Sequence, residues 1–399
     1  MIPLSERVKT VPASPIRKLS PLARAAVRRG VRVHHLNIGQ PDIKTPTQAL
    51  SAIHRMDQPI LSYSPSEGNL SLRGKLSSYY SGFGISLSPE EIIVTTGGSE
   101  AIQFAFMACL DPGDEIIVTD PFYANYKAYA AICGAVVKSV PTRIDDGFRL
   151  PPVDAFEAQI TPRTRAILIC NPNNPTGYLY TRSEMLRLRD IIRKHHLFLI
   201  SDEVYREFVY NAGRHPYISA LQLEGVEEQV ILVDSVSKRY SECGIRIGAL
   251  VTRNAAFREA VLKLAQARLS PPLLGQLVAE ASIDVPKSYL QEINAEYRRR
   301  RDCLVNGLNR IPGVFAPMPE GAFYVMVRLP VDDAEDFCRW CLSDFEYEGE
   351  TVMMAPGAGF YVTPDAGRNE VRMAYVLETE ELQRALVVLE KALDAYNSR

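Results

Sequence analysis

The sequence lacks an excess of charge of either sign. Its 399 residues carry 45 Lys+Arg against 47 Asp+Glu, a formal net charge of −2, and no run of five like charges occurs. That excludes the basic footprint required for nonspecific nucleic-acid binding or attraction to an anionic membrane. No apolar run approaches the roughly 18 residues of a membrane span, and Met1-Ile2-Pro3-Leu4-Ser5-Glu6-Arg7 lacks the apolar core of a secretory signal, so a cytoplasmic protein is expected. Internal repeats and low-complexity tracts are missing, which excludes a solenoid. The nucleotide loop G-x-x-x-x-G-K-[ST] is absent too.

The histidines (34, 35, 54, 195, 196, 215) show no metal-ligand spacing; His34-His35 and His195-His196 are expected to flank strands, and no metal is expected. The seven cysteines are odd in number and scattered, several within apolar stretches, which reads as reduced thiols. Cys338-Arg339-Trp340-Cys341 has the C-x-x-C spacing but no second pair, and it falls in a helix-like segment. What remains is small-molecule chemistry in a chain long enough for about two to three domains with large cores.

From about residue 91, short apolar runs alternate with helical patterns: Ile92-Ile93-Val94-Thr95, Glu115-Ile116-Ile117-Val118, Ala166-Ile167-Leu168-Ile169, Phe198-Leu199-Ile200 and Val230-Ile231-Leu232-Val233. Such runs predict an α/β fold around a buried, mainly parallel sheet. Each run ends in small or polar residues, and in open α/β sheets ligands bind beyond the carboxyl ends of the strands. The five loops are therefore expected to converge on one site. After Pro271-Pro272 a long charged helical stretch ends near Asn309, followed by strands at Ala322 to Val327 and Val371 to Val376 in an α+β pattern.

Three of these loops carry candidate chemistry. Gly97-Gly98-Ser99-Glu100 follows a strand and opens a helix, where free N–H groups and the helix dipole suit a phosphate; the plainer reading is a strand-to-helix turn with Ser99 as N-cap. Asp202 ends a buried strand, where a carboxylate needs a cation or hydrogen-bond donors. Lys238 closes Asp234-Ser235-Val236-Ser237-Lys238, with Arg246 eight residues on, and a desolvated lysine is a nucleophilic amine. One residue of each kind is unremarkable alone. Together, at successive strand ends, they define a site.

Asn173-Asn174-Pro175-Thr176-Gly177, Ser201-Asp202-Glu203-Val204-Tyr205, Ser235-Val236-Ser237-Lys238 with Arg246, and Val371-Arg372-Met373-Ala374-Tyr375 resemble, in order and spacing, the class I/II aminotransferases. These are pyridoxal-phosphate enzymes of fold type I, and the similarity runs from about Asn37 to Val376. The resemblance implies a large cofactor-binding domain at 46–283 around a seven-stranded sheet, and a small domain from 284–399 joined by the N-terminal segment 1–45. It implies that Lys238 forms the Schiff base with pyridoxal 5'-phosphate, that Asp202 pairs with the pyridinium nitrogen, and that Asn174 and Tyr205 hydrogen-bond the phenolate oxygen. Gly98, Ser99, Glu100, Ser235, Ser237 and Arg246 would hold the phosphate, and Tyr123 would stack on the ring. Arg372, with Asn174 and the backbone of Gly39, would bind the substrate α-carboxylate. Tyr63 resembles a tyrosine that reaches the neighbouring subunit's phosphate, which implies a homodimer with shared sites.

The implied reaction is ping-pong transfer of an amino group from an L-amino acid to a 2-oxo acid, with Lys238 as general base and acid. Aspartate and 2-oxoglutarate fit the motif style. Dicarboxylate-specific relatives place an arginine shortly before a Pro-Pro pair; registering on Pro271-Pro272 gives Ala265 there, and another subgroup's lysine position holds Ser99. Arg17, Lys18 and Arg268 are the cations left to contact a side-chain carboxylate. A carbon–sulfur β-lyase or other Cα chemistry is the alternative on the same site. A DNA-binding regulator built on this fold is disfavoured, because the 45 residues before the matched region are broken by Pro3, Pro12, Pro15 and Pro21.

Overall fold

The computed structural model describes residues 2–57, 59–213 and 215–399. The five apolar runs become strands Ile92–Thr95, Glu115–Asp120, Thr164–Cys170, Phe198–Asp202 and Val230–Ser235. Two more strands, Val136–Pro141 and Gly248–Val251, complete one seven-stranded sheet. From edge to edge it runs Ile92–Thr95, Gly248–Val251, Val230–Ser235, Phe198–Asp202, Thr164–Cys170, Glu115–Asp120 and Val136–Pro141. All pairings are parallel except those of Gly248–Val251, which lies antiparallel to both its neighbours. The loop from Ser235 to Gly248 holds only short helical turns, too little for the crossover a parallel return needs. The sheet is covered on both faces, which is why its central strands are apolar throughout.

A second core forms around the antiparallel strands Ala355–Pro356, Glu370–Ala374 and Tyr324–Arg328. The two C-terminal strands expected at 322–327 and 371–376 are thus observed slightly displaced. Ala322 has a positive φ of 55° directly after Gly321, so the chain is still turning there. The N-terminal segment joins this core: Arg32–His35 pairs in parallel with Glu350–Met353, and Leu19, Ala23 and Ala26 of its preceding helix are buried in it. His34 and His35 therefore lie within a strand rather than beside one. His34 is enclosed between Glu381 (3.2 Å) and Glu350 (3.4 Å). His195 ends a helix, and His196 caps it in the left-handed conformation before the strand Phe198–Asp202.

The charged stretch before Asn309 is the 22-residue helix Lys287–Leu308, which turns Ile293, Tyr297, Leu304 and Leu308 inward. Cys338 and Cys341 are buried on the helix Ala334–Ser343. Asp120 ties the second core to the sheet end, accepting from the N–H groups of Val362 and Thr363 at 2.9 Å each.

Candidate active site

The carboxyl ends of the sheet strands and the edge of the second core enclose a cavity of about 590 Å³, a size suited to a cofactor with a small substrate. Gly39, Gly98, Ser99, Tyr123, Asn174, Asp202, Tyr205, Ser235, Ser237, Lys238, Arg246 and Arg372 all line it. They come from seven separate stretches of chain, most at the ends of sheet strands and the rest, Gly39 and Arg372, on the side of the second core.

At one end lies the helix Gly97–Cys109. Its N-cap is Thr96, whose N–H donates to the Glu100 carboxylate at 2.7 Å, so Ser99 is not the cap and its hydroxyl stays with the cavity. Gly97 has φ +75°, and a Cβ there would stand 2.3 Å from Nη2 of Arg246. Glycine thus lets the Arg246 guanidinium lie against the helix N-terminus, adding a cation to the dipole. Ser235 caps the turn Val236–Arg239 and donates to the Ile247 carbonyl at 3.0 Å, and its Oγ lies 2.8 Å from the Ser237 hydroxyl. Two hydroxyls, free N–H groups and one guanidinium make this end an anion cradle.

In the middle, Asp202 accepts from the Tyr126 hydroxyl at 2.7 Å. Burial pushes its carboxyl up to about 6 against the lowering effect of that hydrogen bond and of the Val204 N–H. No cationic partner compensates it among the described residues. Beside it, Tyr205 is hydrogen-bonded by Asn174 Nδ2 at 3.5 Å and to Tyr324 Oη at 3.0 Å. Lys238 Nζ donates to the Gly39 carbonyl at 2.8 Å and stands 3.6 Å from Cys243 Sγ.

Arg372 occupies the far wall. It is 1% exposed, not the surface arginine that a strand position would suggest. Nη1 donates to Asn174 Oδ1 at 3.0 Å and Nη2 to the Asn37 carbonyl at 2.7 Å, while Nε has no partner. The Tyr324 and Phe360 rings lie 4.5 and 5.0 Å from its guanidinium carbon. Burial depresses its pKa, and no carboxylate among the described residues offsets the charge. A buried planar cation with an open donor, close to two aromatic rings, has the geometry to receive a carboxylate.

Under this floor runs a buried ionic layer. Both oxygens of Asp234 accept from Arg239 at 2.8 Å, Tyr80 donates to it at 2.7 Å, and Arg206 bridges to Glu203 at 3.2 Å. Burial alone would raise the Asp234 carboxyl, but Arg239 and Arg206 hold it well below the usual range. Arg239 adjoins Lys238 and Glu203 adjoins Asp202, so this layer fixes the backbone beneath both.

A sequence model of the family described as Aminotransferase class I and II matches residues 31–389. The chain belongs to this family. An aspartate aminotransferase of Rhizobium meliloti is 32% identical over 96% of this chain and 94% of its own length, and aromatic-amino-acid aminotransferase 2 of Thermococcus litoralis is 30% identical over 98% of each. The solved Thermus thermophilus aspartate aminotransferase with maleate superposes with a TM-score of 0.88 at 30% identity, covering 98% of this chain and all of that one. The seven-stranded, mainly parallel architecture is thus that of the aspartate aminotransferases.

As an aminotransferase, the protein transfers a nitrogenous group between small amino and oxo acids, and the family implies use of pyridoxal phosphate. The cavity fits that cofactor on its own chemistry: an anion cradle, an uncompensated carboxyl, a lysine amine and an orphaned guanidinium line one space. Two residues that the resemblance implied stand apart from it. Glu100 turns its carboxylate to Thr96 and to Arg268 (3.1 Å) instead of the cavity. Tyr63 is 79% exposed and outside this chain's own cavity.

Three contributors were not legible beforehand. Tyr324, Tyr126 and Phe360 are aromatic residues in apolar or helical stretches, and nothing local distinguishes them from core. A Cβ on Gly39 would come 1.9 Å from Tyr324 Oη, so the two positions constrain each other across the cavity. That relation exists only after folding. Among the described residues there is no cluster suited to a metal ion, and no helix is long and apolar enough to cross a membrane.

Proposed function

We propose that this cavity binds pyridoxal 5'-phosphate covalently through Lys238 and exchanges an amino group between an L-amino acid, aspartate among them, and 2-oxoglutarate, in ping-pong order. The observation that carries the reading is the buried Arg372 guanidinium, with an unpartnered Nε and no carboxylate partner among the described residues, sharing one cavity with Lys238 and Asp202. An α-carboxylate is common to every amino acid and 2-oxo acid, and Arg372 offers it a planar fork.

When bound, the cofactor supplies an electron sink for the pair left at Cα. The chain's residues do the rest. Gly98, Ser99, Ser235, Ser237 and Arg246 hold the phosphate. Asp202 keeps a proton on the ring nitrogen, and a cation there relieves the cost of burying its carboxylate. Asn174 and Tyr205 hydrogen-bond the phenolate oxygen, and Tyr123 packs on the ring. With the cofactor bound, the Lys238 amine would take the proton from the substrate's Cα and return it to the cofactor carbon that receives the nitrogen. Gly39, whose carbonyl holds the amine and whose neighbour Asn37 holds Arg372, aligns base and substrate.

The proposed division is a large domain at 46–283 and a small one at 284–399 with 1–45, supported by the pairing of Arg32–His35 with Glu350–Met353. Arg372 belongs to the latter and Lys238 to the former, so substrate binding would draw the two together and exclude water. A homodimer is proposed as well. Ile60, Leu61, Tyr63 and Leu70 are exposed, as is Leu269, whose carbonyl accepts from Ser66 Oγ of the same segment at 2.6 Å, and exposed apolar side chains of this number suit a partner surface. Tyr63 would then reach the phosphate of the other subunit. A cytoplasmic location accords with seven free thiols.

The experiment is an absorbance spectrum of the holoenzyme before and after mixing with aspartate, glutamate, alanine, phenylalanine and cysteine, with product analysis. Conversion of the cofactor band, with one 2-oxo acid released per site, is expected. Ammonia and pyruvate accumulating from cysteine under an unchanged band would make the protein a β-lyase.

A further inference from the structure

Four cationic side chains line the cavity, those of Arg17, Lys238, Arg246 and Arg372, against the single carboxylate of Asp202. Three have partners under the proposed function: Arg246 the phosphate, Lys238 the cofactor carbon, Arg372 the α-carboxylate. Arg17 is left over. We propose that Arg17 binds the side-chain carboxylate of the substrate and makes dicarboxylic amino acids the preferred donors. This assignment rests on the aminotransferase reading of the site.

The other cations that could serve are already engaged. Lys18 pairs with Glu335. Arg268 pairs with Glu100 at 3.1 Å and donates to the Ser66 carbonyl at 2.9 Å. Ala265 is fully buried in its helix, and Ser99 carries no charge. Arg17 reaches the cavity with no carboxylate partner among the described residues.

Its position is fixed relative to Arg372 although the side chain itself is exposed. The N–H groups of Arg17 and Lys18 donate to the Ser14 carbonyl at 3.1 and 2.9 Å, closing a turn. Asn37 bridges this turn to the α-carboxylate receptor: its Nδ2 donates to the Ile16 carbonyl at 2.8 Å, and its own carbonyl accepts from Arg372 Nη2 at 2.7 Å. On the other side Pro15 packs so closely on Gly359 that a Cβ there would stand 2.4 Å from it, and Phe360, the next residue, lies on Arg372. The turn bearing Arg17 and the wall bearing Arg372 are thus joined twice. The Arg372 guanidinium in that wall and the Arg17 guanidinium on the turn tied to it together suit a ligand that carries two carboxylates.

The test uses holoenzyme of the full chain and the variants Arg17→Gln and Arg17→Lys, reading kcat/KM for aspartate, glutamate, alanine and phenylalanine. Arg17→Gln is expected to lower the ratio of kcat/KM for aspartate to that for alanine by about 10- to 100-fold, the effect of losing one charge-assisted contact at a partly open site. Arg17→Lys should restore part of it. A ratio unchanged within about threefold overturns the assignment while leaving transamination standing. Calorimetric titration with maleate supplies a readout independent of turnover: Arg17→Gln should weaken maleate binding by a similar factor, and equal affinity overturns the proposal. If no amino acid is turned over by the wild type, the functional reading fails, and the maleate comparison still decides Arg17.

Discussion

The amine of Lys238 donates to the carbonyl oxygen of Gly39 at 2.8 Å, joining residues 199 positions apart. Gly39 belongs to the segment that follows the strand Arg32–His35, and Lys238 to the helical turn just after a strand of the large sheet. From Gly39 the contacts continue through Tyr324 (3.4 Å), Tyr205 and Asn174 to Arg372. The proposed base and the proposed carboxylate receptor are therefore ends of one hydrogen-bonded chain.

Lys238→Ala should lower turnover with every amino acid by about 1,000-fold or more, the range of a lost general base, while circular dichroism stays unchanged. Lys238 is only partly buried and makes no ion pair among the described residues, so the fold does not depend on it. Retained transamination would remove it from the mechanism.

Arg372→Ala should lower kcat/KM for all amino acids alike, by about 100-fold, because two charge-assisted donors to a shared group are lost. Arg372→Lys should rescue little, since an ammonium cannot reproduce the fork. A loss confined to one class of side chain, measured across the same panel, would instead assign Arg372 to side-chain recognition.

Asp202 makes the stability of the cofactor-free protein depend on pH. Its folded pKa, about 6, lies above the ordinary carboxylate value, so the native state binds more protons than the unfolded chain between about pH 4 and 6. Its contribution is therefore present at acid pH and is lost as pH rises through that window, amounting to roughly 3 kcal/mol. Asp202→Asn should stabilise the apoprotein at pH 7 and change little at pH 4, read by urea unfolding. Tyr126→Phe, which removes a hydrogen bond to the charged form, should push the window upward.

Arg239→Met should cost about 3 kcal/mol or more, because Asp234 would lose its two-bonded partner in a fully buried setting. Arg239→Met combined with Asp234→Asn should recover part of the loss in urea unfolding. An additive double variant would show that the pair is not coupled.

The apolar runs at Ile92, Glu115, Ala166, Phe198 and Val230 were legible as strands because strands of a sheet covered on both faces are apolar throughout, a property local to each run. Gly248–Val251 was not, since its direction and neighbours follow from the short loop before it and the strand that receives it. The strands of the small sheet start later than the alternation suggests, because the turn at Gly321-Ala322, where Ala322 has φ 55°, leaves no mark in the apolar pattern. Arg372 was identifiable by motif, but its burial between Tyr324 and Phe360 was not.

The sequence alone determined the fold class, the family and the residues offered to the site, because motif order and strand-end chemistry are properties of neighbouring positions. Only the tertiary structure decided which groups are left without partners. It gave Glu100 to Arg268 and Lys18 to Glu335, buried Arg372 with an open Nε, and left Arg17 facing the cavity. The reason is physical: a charge finds or lacks its counter-charge through contacts across hundreds of residues, and pairing over such distances is set by packing, not by spacing along the chain.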